Sequence, residues 1–255
     1  MSFDFAAAIA ARPSGDTKAS LIAAYGDPTA GATRTGRGQF EPPASFRKKL
    51  VKIPLSDLPG FPPYADPNVK ISGVTFHERV APVFVATWAE LVRRGIADKL
   101  RTYDGAVTFR HMLWDYSRPV SLHAYGAAID FDARWNGYGV PIEQAQINRE
   151  VVRCFEECGW EAGIRWHPGD PMHFQFTDGL PGVQQPEWRD AMARSAPAPI
   201  ITPAGPQAVP AGPRVVLSRY GQPFEDISGA RVEIKDAGSV VINATDPQKI
   251  QVRVN

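Results

Sequence analysis

The sequence predicts an α+β fold: a small antiparallel sheet with flanking helices, then a proline-rich linker and a small all-β tail. Three observations predict it. Helical periodicity recurs in the first 193 residues, with short alternating runs between the helical segments and no regular βαβ rhythm. Residues 194–213 (RSAPAPIITPAGPQAVPAGP) hold six prolines and almost no charge, the composition of a semi-rigid extended spacer. Residues 214–255 then change to short β-branched runs separated by Gly, Asp and Pro.

A chain of 255 residues accommodates one full domain plus something smaller. The 44% hydrophobic fraction is enough for a core, and 22% charged residues argue against wholesale disorder. A net charge of +1 gives no broad attraction to nucleic acid or to an anionic membrane, so neither is expected as a partner. Two cysteines, Cys154 and Cys158, are too few for a disulfide framework and read as free thiols made in a reducing compartment. No apolar run reaches the ~18–20 residues of a membrane span. The N-terminal MSFDFAAAIAARPSG has no basic leader, so synthesis in the cytoplasm without a clear signal peptide is expected.

Taken in order, residues 1–45 are rich in Gly, Ala, Pro and Thr and are expected to be only partly structured. Val80, Val83, Phe84, Trp88 and Leu91 predict a helix over 78–96. A second helix is predicted over 142–159, with Pro141 in its first turn, Gly159 as C-cap, and Ile142, Ala145, Val151, Val152 and Phe155 facing inward. A short third helix fits 186–195, and strands fit near 106–110, 127–132 and 172–176. The expected division is a domain over 1–193 (motif-bearing core about 20–190), a linker over 194–213 and a β-rich tail over 214–255. Four short strands in that tail make a marginal independent fold. They either pack on the main domain or complete themselves against other copies or a partner.

The chemistry concentrates in two runs. In SLHAYGAAIDFD (121–132), a strand over 127–132 puts Ala128, Asp130 and Asp132 on one face and Ala127, Ile129 and Phe131 on the other, with His123 in the turn before. In DPMHFQF (170–176), Met172, Phe174 and Phe176 alternate onto an apolar face, leaving His173 and Gln175 opposite. Asp170 precedes a bend at Pro171 and reaches over the same point. Two histidines and an aspartate suit catalytic zinc and leave a fourth tetrahedral position open. Zinc brings the pKa of water toward ~7 and polarises a carbonyl. A carboxylate outside the ligand set then serves as base, a task that fits Asp170. Arg110 in VTFRHM or Arg118 in YSRPVSLH supplies a positive partner for the developing oxyanion.

The same residues carry a resemblance. SLHAYGAAID fits S-x-H-x-x-G-x-A-x-D, and DPMHF fits the D/E-x-x-H-F element that comes after it. Together they resemble the zinc D-alanyl-D-alanine carboxypeptidase and L-alanyl-D-glutamate endopeptidase family, which cuts peptidoglycan stem peptides. YDGAVTFRHM, ARWNGYG and GWEAGIRW are similar to that family's flanking segments, so the resemblance spans about residues 20–190 and not the tail. It implies His123, Asp130 and His173 as zinc ligands, Asp170 as general base, and Arg110 as binder of the oxyanion or a substrate carboxylate. It also implies Ser121 in the substrate pocket; Arg118 is expected as a substrate-binding residue from its place in YSRPVSLH. The departure is Gln175, where the family commonly has Glu, a position expected to support the site rather than to react. Asp at the base position looks more like the phage-lysin endopeptidases, and Glu more like the carboxypeptidases. The tail loosely resembles β-strand ends of phage spikes, which implies oligomerisation or particle attachment through 214–255 and action on the cell wall.

Other chemistry-bearing residues read as structural. His111 and His167 are expected to be non-ligands, and Trp114, Trp135 and Trp166 to be core more readily than groove. Arg47, Lys48, Lys49 and Lys52 read as a solvated basic run. No GxGxxG, GxxxxGK[ST], HExxH or GxSxG pattern occurs.

Overall fold

Two short helices open the chain in this computed structural model, each held by a polar cap. The structure describes residues 3–14, 17–180 and 182–195. It also describes the backbone of 215–219, 222–223, 233–235, 239–241 and 251–254. The chain divides into two units, Met1–Ala198 and Pro199–Asn255. Most of the expected linker, from 196 onward, lies outside the described residues.

Asp4 accepts from the Ala7 amide at 2.9 Å and starts α1 (Phe5–Ala10), and Thr17 accepts from Ser20 to start α2 (Lys18–Tyr25). Phe5, Ile9, Leu21 and Tyr25 are the buried anchors of these helices, and the Tyr25 hydroxyl donates to the Phe176 carbonyl at 2.6 Å. A hairpin of β1 (Thr33–Gly36) and β2 (Gln39–Glu41) comes next. The expectation that residues 1–45 are only partly structured is therefore corrected: a few aliphatic and aromatic anchors suffice where caps satisfy the helix ends.

After α3 (Ala44–Arg47), β3 (Leu50–Pro54) pairs antiparallel with β4 (Gly73–His77). The helix predicted over 78–96 is α4 (Ala81–Arg93), begun by Pro82 and stopped at Gly95, which has φ 68°. Its Val83, Phe84, Trp88 and Leu91 are buried.

The central sheet runs β5 (Tyr103–Gly105), β6 (Ala128–Phe131), β8 (His173–Gln175) and β7 (Glu161–Ala162) in spatial order, with every neighbour antiparallel. The strand expected near 106–110 lies earlier, at 103–105. The Ala106 carbonyl and the Thr108 amide are instead engaged by His123, and Arg110 makes only a single bridge to Gln39. The short α5 (Ala133–Asn136) comes after β6. The helix predicted over 142–159 is α6 (Arg149–Glu157). Asn136 Oδ1 accepts from the amides of Gln146 and Ile147, which holds those residues out of helical geometry, and Asn148 caps the helix that begins at Arg149. Gly159, φ 93°, lies just past the helix end as expected. The third predicted helix shortens to α7 (Ala191–Arg194).

Phe76, Phe84, Trp88, Phe131, Phe155, Trp160 and Phe174 form the centre of the core. Phe155 stacks on Phe174 at 4.2 Å between centroids, so α6 seals the apolar face of β8. That seal turns the other face of β6 and β8 toward the candidate site.

In the second unit, β9 (Val215–Arg219) lies antiparallel between β10 (Gln222–Pro223) and β13 (Gln251–Val254). A hairpin pairs β11 (Glu233–Lys235) with β12 (Ser239–Val241).

Candidate metal centre

His123 rides on a 3-10 turn, Leu122–Tyr125, that Ser121 caps through its hydroxyl, accepting from the His123 amide at 3.4 Å. Gly126 closes the turn with φ 68°. A Cβ at Gly126 would sit 2.7 Å from the His77 amide nitrogen on β4, so backbone crowding and left-handed geometry both demand glycine there. Asp130 and His173 are direct cross-strand partners of β6 and β8, which places both side chains on one face.

Three ligand-type atoms, one each from His123, Asp130 and His173, all lie within 4.8 Å of one another. His123 Nε2 is 3.2 Å from His173 Nδ1 and 3.2 Å from Asp130 Oδ2, and His173 Nδ1 is 2.9 Å from Asp130 Oδ1. The other nitrogen of each ring is occupied. His123 Nδ1 donates to the Ala106 carbonyl at 2.7 Å, and His173 Nε2 meets Gln175 Oε1 at 3.1 Å. Carbonyl oxygens only accept, so His123 Nε2 and His173 Nδ1 are the nitrogens available to a ligand.

The electrostatics fit that geometry. Burial alone would raise the pKa of Asp130, but the charges and hydrogen bonds of His123 and His173 outweigh it and hold the carboxyl below its usual range. Burial alone would lower His173, and its hydrogen bond and charge contact with Asp130 raise it instead. Asp170 is pushed up to about 6, by burial first and then by the Asp130 charge, against the pull of His173, His123 and Arg110. Its Oδ1 is buried with no hydrogen-bond partner. Its carbonyl crowds Gly163, where a Cβ would lie 2.5 Å away, and its amide donates to the Gly163 carbonyl at 2.8 Å, so the two backbones lie close together.

Two imidazoles and one carboxylate converging from a turn and two strands suit zinc, and an unpartnered carboxylate beside them suits the base role. The donor set fits the metal.

Arg110 is half-buried, and burial lowers its pKa while Asp130 and Asp170 favour its charged form. Its guanidinium stands 5.1 Å from the Trp114 ring centre. Arg118 is exposed, on the loop that carries Asp115, and its carbonyl contacts His111 Nδ1 at 2.6 Å. Ser121 is 6% exposed, with its hydroxyl turned to the His123 amide. Asp132, predicted on the face of Asp130, does not join the group: it leaves the strand in left-handed backbone, and its Oδ1 accepts from the Arg101 and Thr102 amides. His111 and His167 lie outside the ligand group. Trp114, Trp135 and Trp166 are not core residues, contrary to expectation. Trp114 is 42% exposed, Trp135 packs under Arg101, and Trp166 lies 5.3 Å from the His173 ring centre. A cavity of about 410 Å³ opens between Trp166, Gln175, Leu122, Val120, Met112 and Leu180.

Residues 115–176 match the family model described as D-alanyl-D-alanine carboxypeptidase. The match covers the site-bearing segment and supports a zinc peptidase family for it. The matched residues include His123, Asp130, Asp170 and His173, whereas Arg110 precedes them. No curated protein and no solved structure matches the chain significantly. Peptidases of this carboxypeptidase family are typically zinc-dependent, so the family and the donor set point to one cofactor. The likeness of residues 115–176 and the His123–Asp130–His173 group together support a metallopeptidase. No helix among the described residues is long and apolar enough to cross a membrane.

Two supports of the site have no counterpart in the sequence motifs. The Ala106 carbonyl orients His123, and Glu161 stands behind Gln175. A backbone carbonyl leaves no trace in side-chain pattern. Glu161 reaches the site through its pairing with Gln175 across β7 and β8, a contact that strand register makes.

Proposed function

We propose that the chain is a zinc-dependent peptidase of peptidoglycan stem peptides that cuts the L-alanyl-D-glutamate bond. The observation that carries the reading is the buried, unpartnered Oδ1 of Asp170 beside the His123–Asp130–His173 group. A zinc held by those three residues supplies Lewis-acid polarisation of the peptide carbonyl and acidifies water. Asp170 takes the proton of the attacking water and hands it to the leaving amine. A carboxyl pushed up to about 6 is poised for both transfers near neutral pH. Arg110 meets the negative charge that develops on the carbonyl oxygen, or a carboxylate of the substrate. The cavity beside Trp166 and Gln175 receives the peptide flank.

Aspartate rather than glutamate at position 170 favours the endopeptidase. The rival bond is the terminal D-alanyl-D-alanine, the one named by the matching family model. We place the work at the cell wall, in a phage lysin or tail-like particle, with 214–255 as attachment or oligomerisation segment. A non-catalytic wall-binding module is disfavoured by Asp170, for which a purely structural metal has no use.

Mass spectrometry of purified stem peptides, incubated with and without a chelator, tests the reading. Chelator-sensitive separation of L-alanine from the D-glutamate side supports the endopeptidase. Loss of the terminal D-alanine alone assigns the carboxypeptidase, and no product with zinc present overturns the enzyme.

A further inference from the structure

Behind His173 the hydrogen bonds continue inward. Gln175 lies on the same strand face and presents Oε1 to His173 Nε2 at 3.1 Å. Its amide nitrogen points the other way, to Glu161 Oε2 at 3.3 Å and Thr177 Oγ1 at 3.0 Å. Glu161 faces Gln175 across the β7–β8 pair and is 1% exposed. Its carboxylate collects four donors. Oε1 accepts from the Trp166 indole at 3.0 Å and the Leu180 amide at 3.1 Å, and Oε2 accepts from Gln175 and from the Thr177 hydroxyl at 3.0 Å.

The order of dependence is fixed by which groups have a choice. An indole and a backbone amide can only donate, and a carboxylate surrounded by donors can only accept. The primary amide of Gln175 has two orientations. With Glu161 behind it, only the one with nitrogen inward avoids setting two oxygens face to face. Gln175 then offers His173 an acceptor, so Nε2 carries the hydrogen. The nitrogen left with a lone pair is Nδ1, the one facing His123 and Asp130.

We propose that Glu161 is a positioning residue of the metal centre, acting through the Gln175 amide to select the His173 tautomer that ligates through Nδ1. The proposal rests on the metallopeptidase reading for its metal, and it adds a residue outside both sequence motifs. The carboxylate therefore acts on His173 from the neighbouring strand, through one amide.

Glu161→Gln keeps size and removes the acceptor-only end, so the Gln175 amide loses its fixed sense. Zinc affinity is read by competition with a chromophoric chelator, and ligand geometry by the visible spectrum of the cobalt-loaded full chain. Expected is at least about a tenfold loss of zinc affinity and an altered cobalt spectrum, the scale seen when a group supporting a metal ligand is removed. The double variant Glu161→Gln/Gln175→Glu places the carboxylate directly on His173 and is expected to recover affinity to within about threefold. Wild-type zinc affinity and spectrum in Glu161→Gln would overturn the proposal. So would a folded double variant that remains as weak as the single one, which also covers a single variant that fails to fold. Peptide hydrolysis by the wild type is scored separately. Zinc effects without hydrolysis uphold the positioning role and sink the proposed activity, and hydrolysis with no zinc effect does the reverse.

Discussion

His123 and His173 face each other through unlike ring nitrogens, Nε2 of the first lying 3.2 Å from Nδ1 of the second. The asymmetry has a cause. His123 is held by a backbone carbonyl on its Nδ1 and His173 by a side-chain amide on its Nε2, so each ring presents its remaining nitrogen to Asp130. In the proposed mechanism, a site assembled this way would separate binding of the metal from proton transfer at Asp170.

That separation is testable by substitution. His173→Ala removes one of three ligands and is expected to abolish stoichiometric zinc binding. Asp170→Ala is expected to retain zinc and lose about 10²–10⁴-fold in turnover, the range of a general base. Metal analysis beside peptide cleavage checks both, and wild-type cleavage by Asp170→Ala would remove it from the base role.

The pH profile should carry the same signature. Asp170 accepts a proton only when ionised, and its pKa is raised to about 6 by burial and the Asp130 charge. Activity is therefore expected to rise as pH increases through about 6, and a bound cation would move the midpoint lower, not higher. A rate measured from pH 4 to 8 at saturating zinc shows this limb in the wild type.

Residue type alone leaves both Arg110 and Arg118 as oxyanion candidates, the family resemblance implies Arg110, and the two differ in place. Arg110 feels both Asp130 and Asp170, whereas Arg118 is exposed on the Asp115 loop. Arg110→Met is expected to lower kcat/KM by about 10²–10³-fold with zinc content unchanged. Arg118→Ala is expected to stay within about twofold, since surface charges at this distance from chemistry contribute little. Equal effects from the two would return the assignment to ambiguity between them.

Gly126→Ala tests the turn that carries His123. Left-handed backbone costs ~1–3 kcal/mol for a residue with Cβ, and the new atom would also press on the His77 amide at 2.7 Å. Lower thermal stability and weaker zinc binding together are expected. An unchanged melting temperature would show that β4 yields easily.

The sequence by itself determined the helix of Val83, Phe84, Trp88 and Leu91, and the alternation that gives β6 and β8 one polar and one apolar face. Those signals are local: periodicities of 3.6 and 2 record which side of an element meets the core. It also determined that His123, Asp130, Asp170 and His173 stand out together, because their spacing resembles one family's. Tertiary structure decided the rest. Only packing shows that Asp132 turns away to cap the Arg101–Thr102 backbone, that Asn136 delays α6 to Arg149, and that Arg110 is half-buried while Arg118 is exposed. The support behind the site is of the same kind. Ala106 to His123 spans 17 residues and Glu161 to Gln175 spans 14. No periodicity reports a contact closed by strand pairing at such separations, because the partner's position depends on register and on the backbone between, not on the pattern of either segment.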